Sequence, residues 1–265
     1  MSTLDNRRFT QIGIDRLVRL QWLERTAYMV LAGNEPPVIK KILQEELRES
    51  FRSGNTKVRG SLSKTITILM KVWVEPPRDL RELQVDGLKL LASTSRDKHV
   101  AIHWGMVMAA YPFWGAVAAC VGRLLKLQGT VAAAQVQRRI REQYGERETV
   151  SRRVRYVLRS FLDWGVLKET SKAGTYTTTG LPTFIDQPEL IAWLLEAFLR
   201  AQGQGAMDYE ALYGSPSFFP FHLQRLPADR LAAESGRLYS LRHGLNHELI
   251  ILRELREAGG SRARL

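Results

Sequence analysis

The sequence predicts a mainly α-helical fold, in which an N-terminal helical bundle precedes a winged helix-turn-helix and a small α+β C-terminal appendage. Two observations predict this order. Apolar residues recur at helical spacing through most of residues 14–110, and residues 130–179 read as two helices followed by two strands around a Ser-Lys-Ala-Gly turn. This is the order of a winged helix, which has a helix, a tight connection, a second helix and then a two-stranded hairpin called the wing. That fold usually places its second helix in a DNA major groove.

The N-terminal part, residues 1–110, is predicted to be a bundle of five or six helices. Glycine, asparagine and proline mark where helices end, as in Gly33-Asn34 and Glu75-Pro76-Pro77. The helices predicted between these helix-terminating residues are 14–31, 36–51, 57–74, 80–92 and 97–110.

Residues 104–122 form a run of 19 residues without a charge. A membrane span is one interpretation, but the run contains no leucine or isoleucine and is interrupted by three glycines and Pro112. Glycine, alanine and proline contribute little transfer free energy, and a span needs about 20 strongly apolar residues. We therefore predict two buried helices that meet at Tyr111-Pro112, and no membrane partner.

The winged helix is predicted over residues 111–180, with helices at 130–144 and 150–164 and strands at 166–170 and 175–179. Projected at about 100° per residue, the second helix gathers its large apolar side chains on one arc. These are Val150, Val154, Val157, Leu158, Phe161 and Trp164. The opposite arc carries arginines, against a single acidic residue, Asp163.

This arginine-rich arc is the candidate DNA-binding surface. Arg152, Arg155 and Arg159 are predicted to contact phosphates or base edges, Tyr156 to pack on the backbone, and Lys172 at the wing tip to reach a flanking phosphate. Further candidates are Arg153 at the edge of the arc and Arg138, Arg139 and Arg141 on the preceding helix. Because the arc lacks asparagine and glutamine, we expect largely non-specific, salt-dependent contact. The alternative is an arginine-rich solvated surface.

Charge is distributed unevenly along the chain. The net charge is +12, and residues 111–180 hold 12 Lys and Arg against five acidic residues. Residues 181–265 hold nine basic and ten acidic residues. A polyanion such as double-stranded DNA is therefore the expected partner of the first two-thirds of the chain, while the remainder is expected to pack on the rest or to meet another protein.

The C-terminal part, residues 181–265, is predicted to be a small α+β unit. Its predicted helices are 186–201, 207–213 and 226–235, its hairpin strands are 237–242 and 248–253, and residues 259–265 form a frayed basic tail. The aromatic segment 218–221 is either a platform on which bases stack or a loop packed on the core. We favour the packed loop.

No enzyme, cofactor, metal site or small-molecule substrate is predicted. Cys120 is the one cysteine, which excludes a disulfide within the chain and favours a small buried side chain in a reducing cytoplasm. His99/His103 and His243/His247 have metal-ligand spacing, but neither pair has the glutamate of a zinc-protease motif. No glycine-rich phosphate loop occurs, and Asp208 is interpreted as a helix-start residue.

Taken in order, these elements resemble the small A protein (BrxA) family of BREX bacteriophage-exclusion systems. The similar stretches lie within residues 20–170, and they are 27–33, 57–74, 110–112, 151–158 and 164–167. After residue 180 the chain departs from the family pattern. The resemblance implies a non-enzymatic accessory component of a phage-defence island, which binds DNA and contacts the system's other proteins.

Two other functions remain open at this point. One is a protein–protein adaptor, in which the winged helix is a docking module and its arginines meet an acidic partner. The other is a winged-helix transcription regulator, which predicts a symmetric dimer and a strong preference for one operator. The sequence shows no long heptad repeat to support such a dimer.

Overall fold

A computed structural model describes residues 7–51, 57–179, 184–243 and 247–253, and these ranges are mainly helical. The α-helices are α1 (Arg7–Thr10), α2 (Leu20–Leu31), α3 (Pro36–Glu46), α4 (Lys57–Trp73), α5 (Arg81–Ser93), α6 (Arg96–Ala110), α7 (Pro112–Gln128), α8 (Ala133–Tyr144), α9 (Glu148–Asp163), α10 (Pro188–Gln202), α11 (Tyr209–Tyr213) and α12 (Ala228–Glu234). Short 3₁₀ turns occupy Glu49–Phe51, Arg78–Leu80 and Pro216–Phe218. The predicted preponderance of helix is thus confirmed.

Short strands form three small sheets within the described ranges. The strands are β1 (Val131–Ala132), β2 (Leu167–Glu169), β3 (Thr175–Thr178), β4 (Phe184–Ile185), β5 (Ala206–Asp208), β6 (His222–Leu223), β7 (Leu238–His243) and β8 (His247–Leu252). One antiparallel sheet has the order β1-β3-β2, another has the order β5-β8-β7, and β4 pairs with β6 in parallel. The predicted C-terminal hairpin is therefore present as β7 and β8, while the predicted tail lies outside the described residues.

Buried apolar side chains form one continuous cluster, which runs from Ile14 to Ile250. At its centre α6 packs against α10, and Gly105 allows the two helices to approach closely. A Cβ atom at Gly105 would lie 2.5 Å from the Trp193 ring, closer than atoms can pack. Helices from all three predicted parts, 1–110, 111–180 and 181–265, contribute to this cluster. The division into domains stays a prediction.

Helices α6 and α7 hold the charge-free run. As predicted, they are two separate helices with Pro112 in the first turn of the second, and most of their side chains are buried. No single helix in the described ranges has both the length and the apolar character to cross a membrane. Only α6 and α7 taken together pass that test, and they are bent by 120° relative to each other. Cys120 on α7 is buried, as expected, and burial raises the pKa of its thiol.

The predicted helix at 14–31 is wrong at its start, because α2 begins only at Leu20. Residues 11–19, which we call the arm, are not helical and lie along α9. The Val18 amide donates to Ser160 Oγ at 3.0 Å, and Trp164 Nε1 donates to the Val18 carbonyl at 2.8 Å. These long-range hydrogen bonds satisfy backbone groups that a helix would otherwise use.

The aromatic segment 218–221 is packed on the core, which agrees with the interpretation favoured above. Phe218 and Phe221 are 3% and 6% exposed. The Phe221 ring meets Trp104 edge-on at 5.5 Å between centroids, and Trp104 Nε1 donates to the Ser217 carbonyl at 3.1 Å. A segment held in this way is unavailable for stacking with bases. Asp208 accepts a hydrogen bond from the Ala211 amide, as expected of a helix-start residue.

His99 and His103 belong to a buried network around Glu24. His99 Nδ1 lies 2.8 Å from Glu24 Oε1, and Trp73 Nε1 donates to His103 Nδ1 at 3.0 Å. The other nitrogen, His103 Nε2, lies 3.7 Å from Glu24 Oε2, an electrostatic contact too long for a hydrogen bond. Proximity to His103 and then to His99 outweighs the opposing effect of burial and lowers the pKa of Glu24 to about 2.

This network predicts acid sensitivity. Burial lowers the pKa of His103 below its ordinary 6.5, so the folded protein resists a proton that the unfolded chain accepts. Stability from His103 is therefore present above about pH 6.5 and lost as the pH falls. As the pH falls below 6.5 we expect the free energy of unfolding to decrease, by at most about 1.4 kcal/mol per pH unit. Glu24, whose pKa is also lowered, adds a further loss as the pH falls from about 4.5 towards 2.

Urea unfolding of the wild type and the His103→Gln variant across this pH range measures the effect. The variant should be less stable at neutral pH but should lose less stability on acidification. His222→Gln is the matched control, because His222 is exposed and its replacement should leave the pH dependence unchanged. Equal pH slopes for wild type and His103→Gln would contradict the assignment.

Candidate nucleic-acid interface

One face of α9 is anchored in the core. Its predicted apolar arc is confirmed: Val150, Val154, Val157 and Phe161 are fully buried, and Leu158 is 1% exposed. Trp164, at the end of the helix, is 6% exposed. Because so many side chains fix the rotation of α9 about its axis, the direction of its outer face is also fixed.

The outer face of α9 carries Arg152, Arg155 and Arg159, which we call the arginine stripe. All three side chains are exposed. Arg155 donates to Glu148 Oε1 at 3.1 Å, an ion pair between two exposed side chains that contributes little to stability. Within the described residues, Arg152 and Arg159 form no ion pair with a carboxylate. Among the described residues, two of the three guanidinium groups are therefore without a carboxylate partner.

Asp163, the acidic residue predicted on this arc, is held by the arm. The Leu20 amide donates to Asp163 Oδ2 at 3.2 Å, and an Arg19 nitrogen lies 3.6 Å from Oδ1. The negative charge at this end of α9 is thus balanced by the N-terminal part of the chain.

Arg153 and Tyr156 lie on the flank of α9 that faces the arm. Arg153 donates to the Ile12 carbonyl, and the Arg16 guanidinium lies 5.9 Å from the centroid of the Tyr156 ring. Both side chains are half-buried. In this arrangement Arg153 holds the arm in place and does not extend the exposed stripe.

The three arginines of α8 do not form one patch. Arg138 is exposed and lies 3.8 Å from Glu142, while Arg141 is less exposed and lies 3.1 Å from Glu146. Arg139 is exposed and lies close enough to α7 for its charge to lower the pKa of Cys120, against the stronger effect of burial. Successive positions on a helix are rotated by about 100°, so Arg138 and Arg139 point in different directions.

The turn between β2 and β3 presents Lys172 to solvent. Gly174 has a positive φ of 69°, and the Thr175 amide donates to the Lys172 carbonyl at 3.1 Å, which closes the turn. Burial and then the charge of Glu169 raise the pKa of Tyr176 on β3, and the charge of Arg159 opposes that rise, so both charged side chains lie near β3. The arginine stripe therefore runs toward the hairpin that carries Lys172.

Of the nine predicted contact residues, the structure thus brings Arg152, Arg155 and Arg159 onto one exposed surface beside the hairpin. Sequence reasoning missed Arg16, which lies next to this surface although it is distant along the chain. A helical projection of α9 gives no information about which other segment covers its flank. The sequence itself gives no signal of this contact, because Ile14, Leu17 and Val18 around Arg16 keep helical spacing.

Within the described ranges, no group of three or more histidine, cysteine, aspartate or glutamate side chains is arranged to hold a metal ion. No protein-family model, no curated protein and no solved structure matches the chain. The function is therefore argued from the geometry of the chain's own residues.

Proposed function

We propose that this protein binds double-stranded DNA, and that the arginine stripe of α9 makes the principal contacts. The observation that carries the proposal is that Arg152 and Arg159 are exposed and, within the described residues, form no ion pair with a carboxylate. They lie on a helix whose opposite face is fully buried. Guanidinium groups held in this way match phosphate oxygens in charge and in hydrogen-bonding geometry.

The order of elements around α9 supports the same function. From α7 onward the chain runs helix, β1, α8, α9, β2, β3, and β3 pairs with both β1 and β2. This is the order of a winged helix, in which α9 corresponds to the helix that enters the major groove. Gly145, with a φ of 98°, lies in the tight connection between α8 and α9.

Recognition is proposed to rest mainly on the DNA backbone. The exposed arc of α9 contains no asparagine or glutamine. These are the side chains that recognise adenine by paired hydrogen bonds. Lys172 at the tip of the hairpin is placed to meet a flanking phosphate. We therefore expect weak sequence preference, with dissociation constants of roughly 10⁻⁴ to 10⁻⁶ M at physiological salt.

Salt dependence tests the proposal. Each phosphate contact contributes a slope of about −0.9 to a plot of log K against log salt concentration. The variant Arg152→Ala/Arg155→Ala/Arg159→Ala should therefore lower the magnitude of this slope by about 2–3, and should weaken binding of an arbitrary duplex at low salt. Fluorescence anisotropy over a salt series measures both quantities.

The matched control removes three other exposed arginines, Arg225, Arg230 and Arg242, each of which lies near a carboxylate. This control changes the net charge by the same amount and should leave the slope nearly unchanged. Equal slopes for the wild type and the stripe variant would refute DNA binding by α9. Absence of binding by the wild type at low salt would favour the protein–protein adaptor instead.

The biological setting is proposed from the sequence resemblance alone. An accessory component of a phage-defence system would bind DNA in the cytoplasm and contact the other proteins of that system. A transcription regulator is the remaining alternative, and it requires at least about a thousandfold preference for one operator over random DNA. Competition with random duplex distinguishes the two.

A further inference from the structure

The arm is held firmly against α9. Ile14 and Val18 are fully buried, and the backbone of Val18 is hydrogen-bonded to both Ser160 and Trp164. At Gly13 the arm passes so close to Tyr111 that a Cβ atom would lie 2.5 Å from the ring. The arm is therefore a fixed part of the surface beside α9, and its charged side chains have defined positions there.

The charged side chains of the arm meet those of α4. Asp15 lies 3.7 Å from an Arg16 nitrogen and 3.3 Å from Lys64 Nζ on α4. Lys64 is 56% exposed, while Asp15 and Arg16 are 21% and 22% exposed. One carboxylate is thus shared by two cations, which leaves an excess of positive charge at this place.

This charge is continuous with the arginine stripe. The Arg16 guanidinium lies beside the Tyr156 ring, and Tyr156 lies next to Arg152 on the helix surface, since the two are four residues apart. A cationic surface therefore runs from Arg159 and Arg152, past Tyr156, to Arg16 and Lys64. Asp15 is the carboxylate at the Arg16 and Lys64 end of this surface, and Glu148 is paired with Arg155 at the other.

We propose that Arg16 and Lys64 form a second contact with the DNA that α9 binds, so that the duplex rests on the arm and α4 as well as on the arginine stripe. The inference depends on the proposed function and extends its binding surface onto the N-terminal helices. Asp15 restrains this contact, because a bound phosphate must compete with its carboxylate for both cations.

Replacing Asp15 gives the most telling result, because it should improve binding. Asp15→Asn removes the competing charge, and one additional phosphate contact should raise the magnitude of the salt slope by about 0.9 and tighten binding about eightfold at 0.1 M salt. Loss of folding cannot imitate a gain in affinity. The same salt series by fluorescence anisotropy measures it.

The double variant Arg16→Ala/Lys64→Ala should lower the magnitude of the slope by about 0.9, because Asp15 leaves the wild type one of the two possible contacts. Its control is Lys89→Ala/Arg225→Ala, which removes one lysine and one arginine that also pair with carboxylates, at 2.9 Å and 2.6 Å. Thermal unfolding of each variant establishes that the fold is retained.

The outcomes separate the two proposals. If the stripe variant lowers the slope while Asp15→Asn and Arg16→Ala/Lys64→Ala leave it unchanged, the second contact is refuted and DNA binding by α9 stands. If the stripe variant leaves the slope unchanged, or the wild type does not bind duplex at low salt, both proposals are refuted. A raised slope for Asp15→Asn together with a lowered slope for the double variant supports the extended surface.

Discussion

Replacement of Glu196 by alanine is expected to lower the free energy of unfolding by about 3–5 kcal/mol. Glu196 on α10 is fully buried, and its Oε1 accepts from Arg200 Nε at 2.7 Å and from Arg237 Nε at 2.8 Å. Both arginines are themselves mostly buried, with side chains 12% and 17% exposed. Without Glu196 these two positive charges remain buried close together, and Arg237 keeps Asp86 at 2.7 Å and Glu82 at 3.7 Å.

The same conclusion follows from the proton affinity of Arg237. Burial alone would lower its pKa, but hydrogen bonds to Glu196 and then to Asp86 raise the pKa above its ordinary value. Loss of Glu196 leaves the cost of burial and removes the largest compensating interaction. The ion pairs also join α10 to the segment before β7, so their loss should release the C-terminal hairpin first.

Urea unfolding followed by circular dichroism measures this effect. Glu189→Ala is the matched control, because Glu189 lies on the same helix but is exposed, and its loss should cost less than about 1 kcal/mol. Glu196→Gln should fall between the two, since it keeps the shape and one acceptor but not the charge. If Glu196→Ala lowered the free energy of unfolding by less than about 1 kcal/mol, the Glu196 carboxylate would not be the group that compensates the buried charges of Arg200 and Arg237.

Replacement of Trp104 by alanine is expected to destabilise the protein by about 3–5 kcal/mol. Trp104 lies at the centre of an aromatic cluster that joins α6 and α7 to α9 and to the segment before β6. Its ring neighbours, at centroid distances from 4.8 to 6.4 Å, are Phe161, Trp114, Phe221, Trp164 and Phe219. Its loss would leave a large cavity and an unpaired Ser217 carbonyl.

Trp104→Phe separates the contribution of ring packing from that of the hydrogen bond to Ser217. The variant keeps an aromatic ring and removes the hydrogen bond. We expect this variant to lose about 1–3 kcal/mol, less than the alanine variant. Tyr239→Ala is a control at a 36% exposed aromatic side chain, where the loss should stay within about 1 kcal/mol. Equal losses for Trp104→Ala and Tyr239→Ala would contradict the central position of the ring.

The local sequence pattern was sufficient to predict most of the helices and strands around α9. The predicted helices at 130–144 and 150–164 correspond to α8 and α9, and the predicted strands to β2 and β3, but the first helix was predicted to start too early, because Val131 and Ala132 pair with β3 as strand β1. Strict apolar spacing and the turn glycine at 174 specify these elements within the segment itself. The exposed positions of the arginine stripe follow directly from the same spacing.

Long-range pairing was not predictable in the same way. The arm carries Ile14, Leu17 and Val18 at helical spacing, but it is not helical, and its backbone is hydrogen-bonded to α9 instead. The two-residue strands β1, β4 and β6 are too short to show alternation. Arg153 was placed at the edge of the exposed arc, and its actual partner is a carbonyl 141 residues earlier in the chain.

The hydrogen bond between Val18 and Ser160 joins positions 142 residues apart. During synthesis, at about 5–20 residues per second, the arm leaves the ribosome roughly 7–30 s before α9, the helix against which it packs. Closing so long a loop is entropically costly, and contacts of high sequence separation tend to form late and slowly. The packing of the arm on α9 is therefore among the last contacts to form, and the surface on which we propose that DNA binds is complete only after α9 has been synthesised.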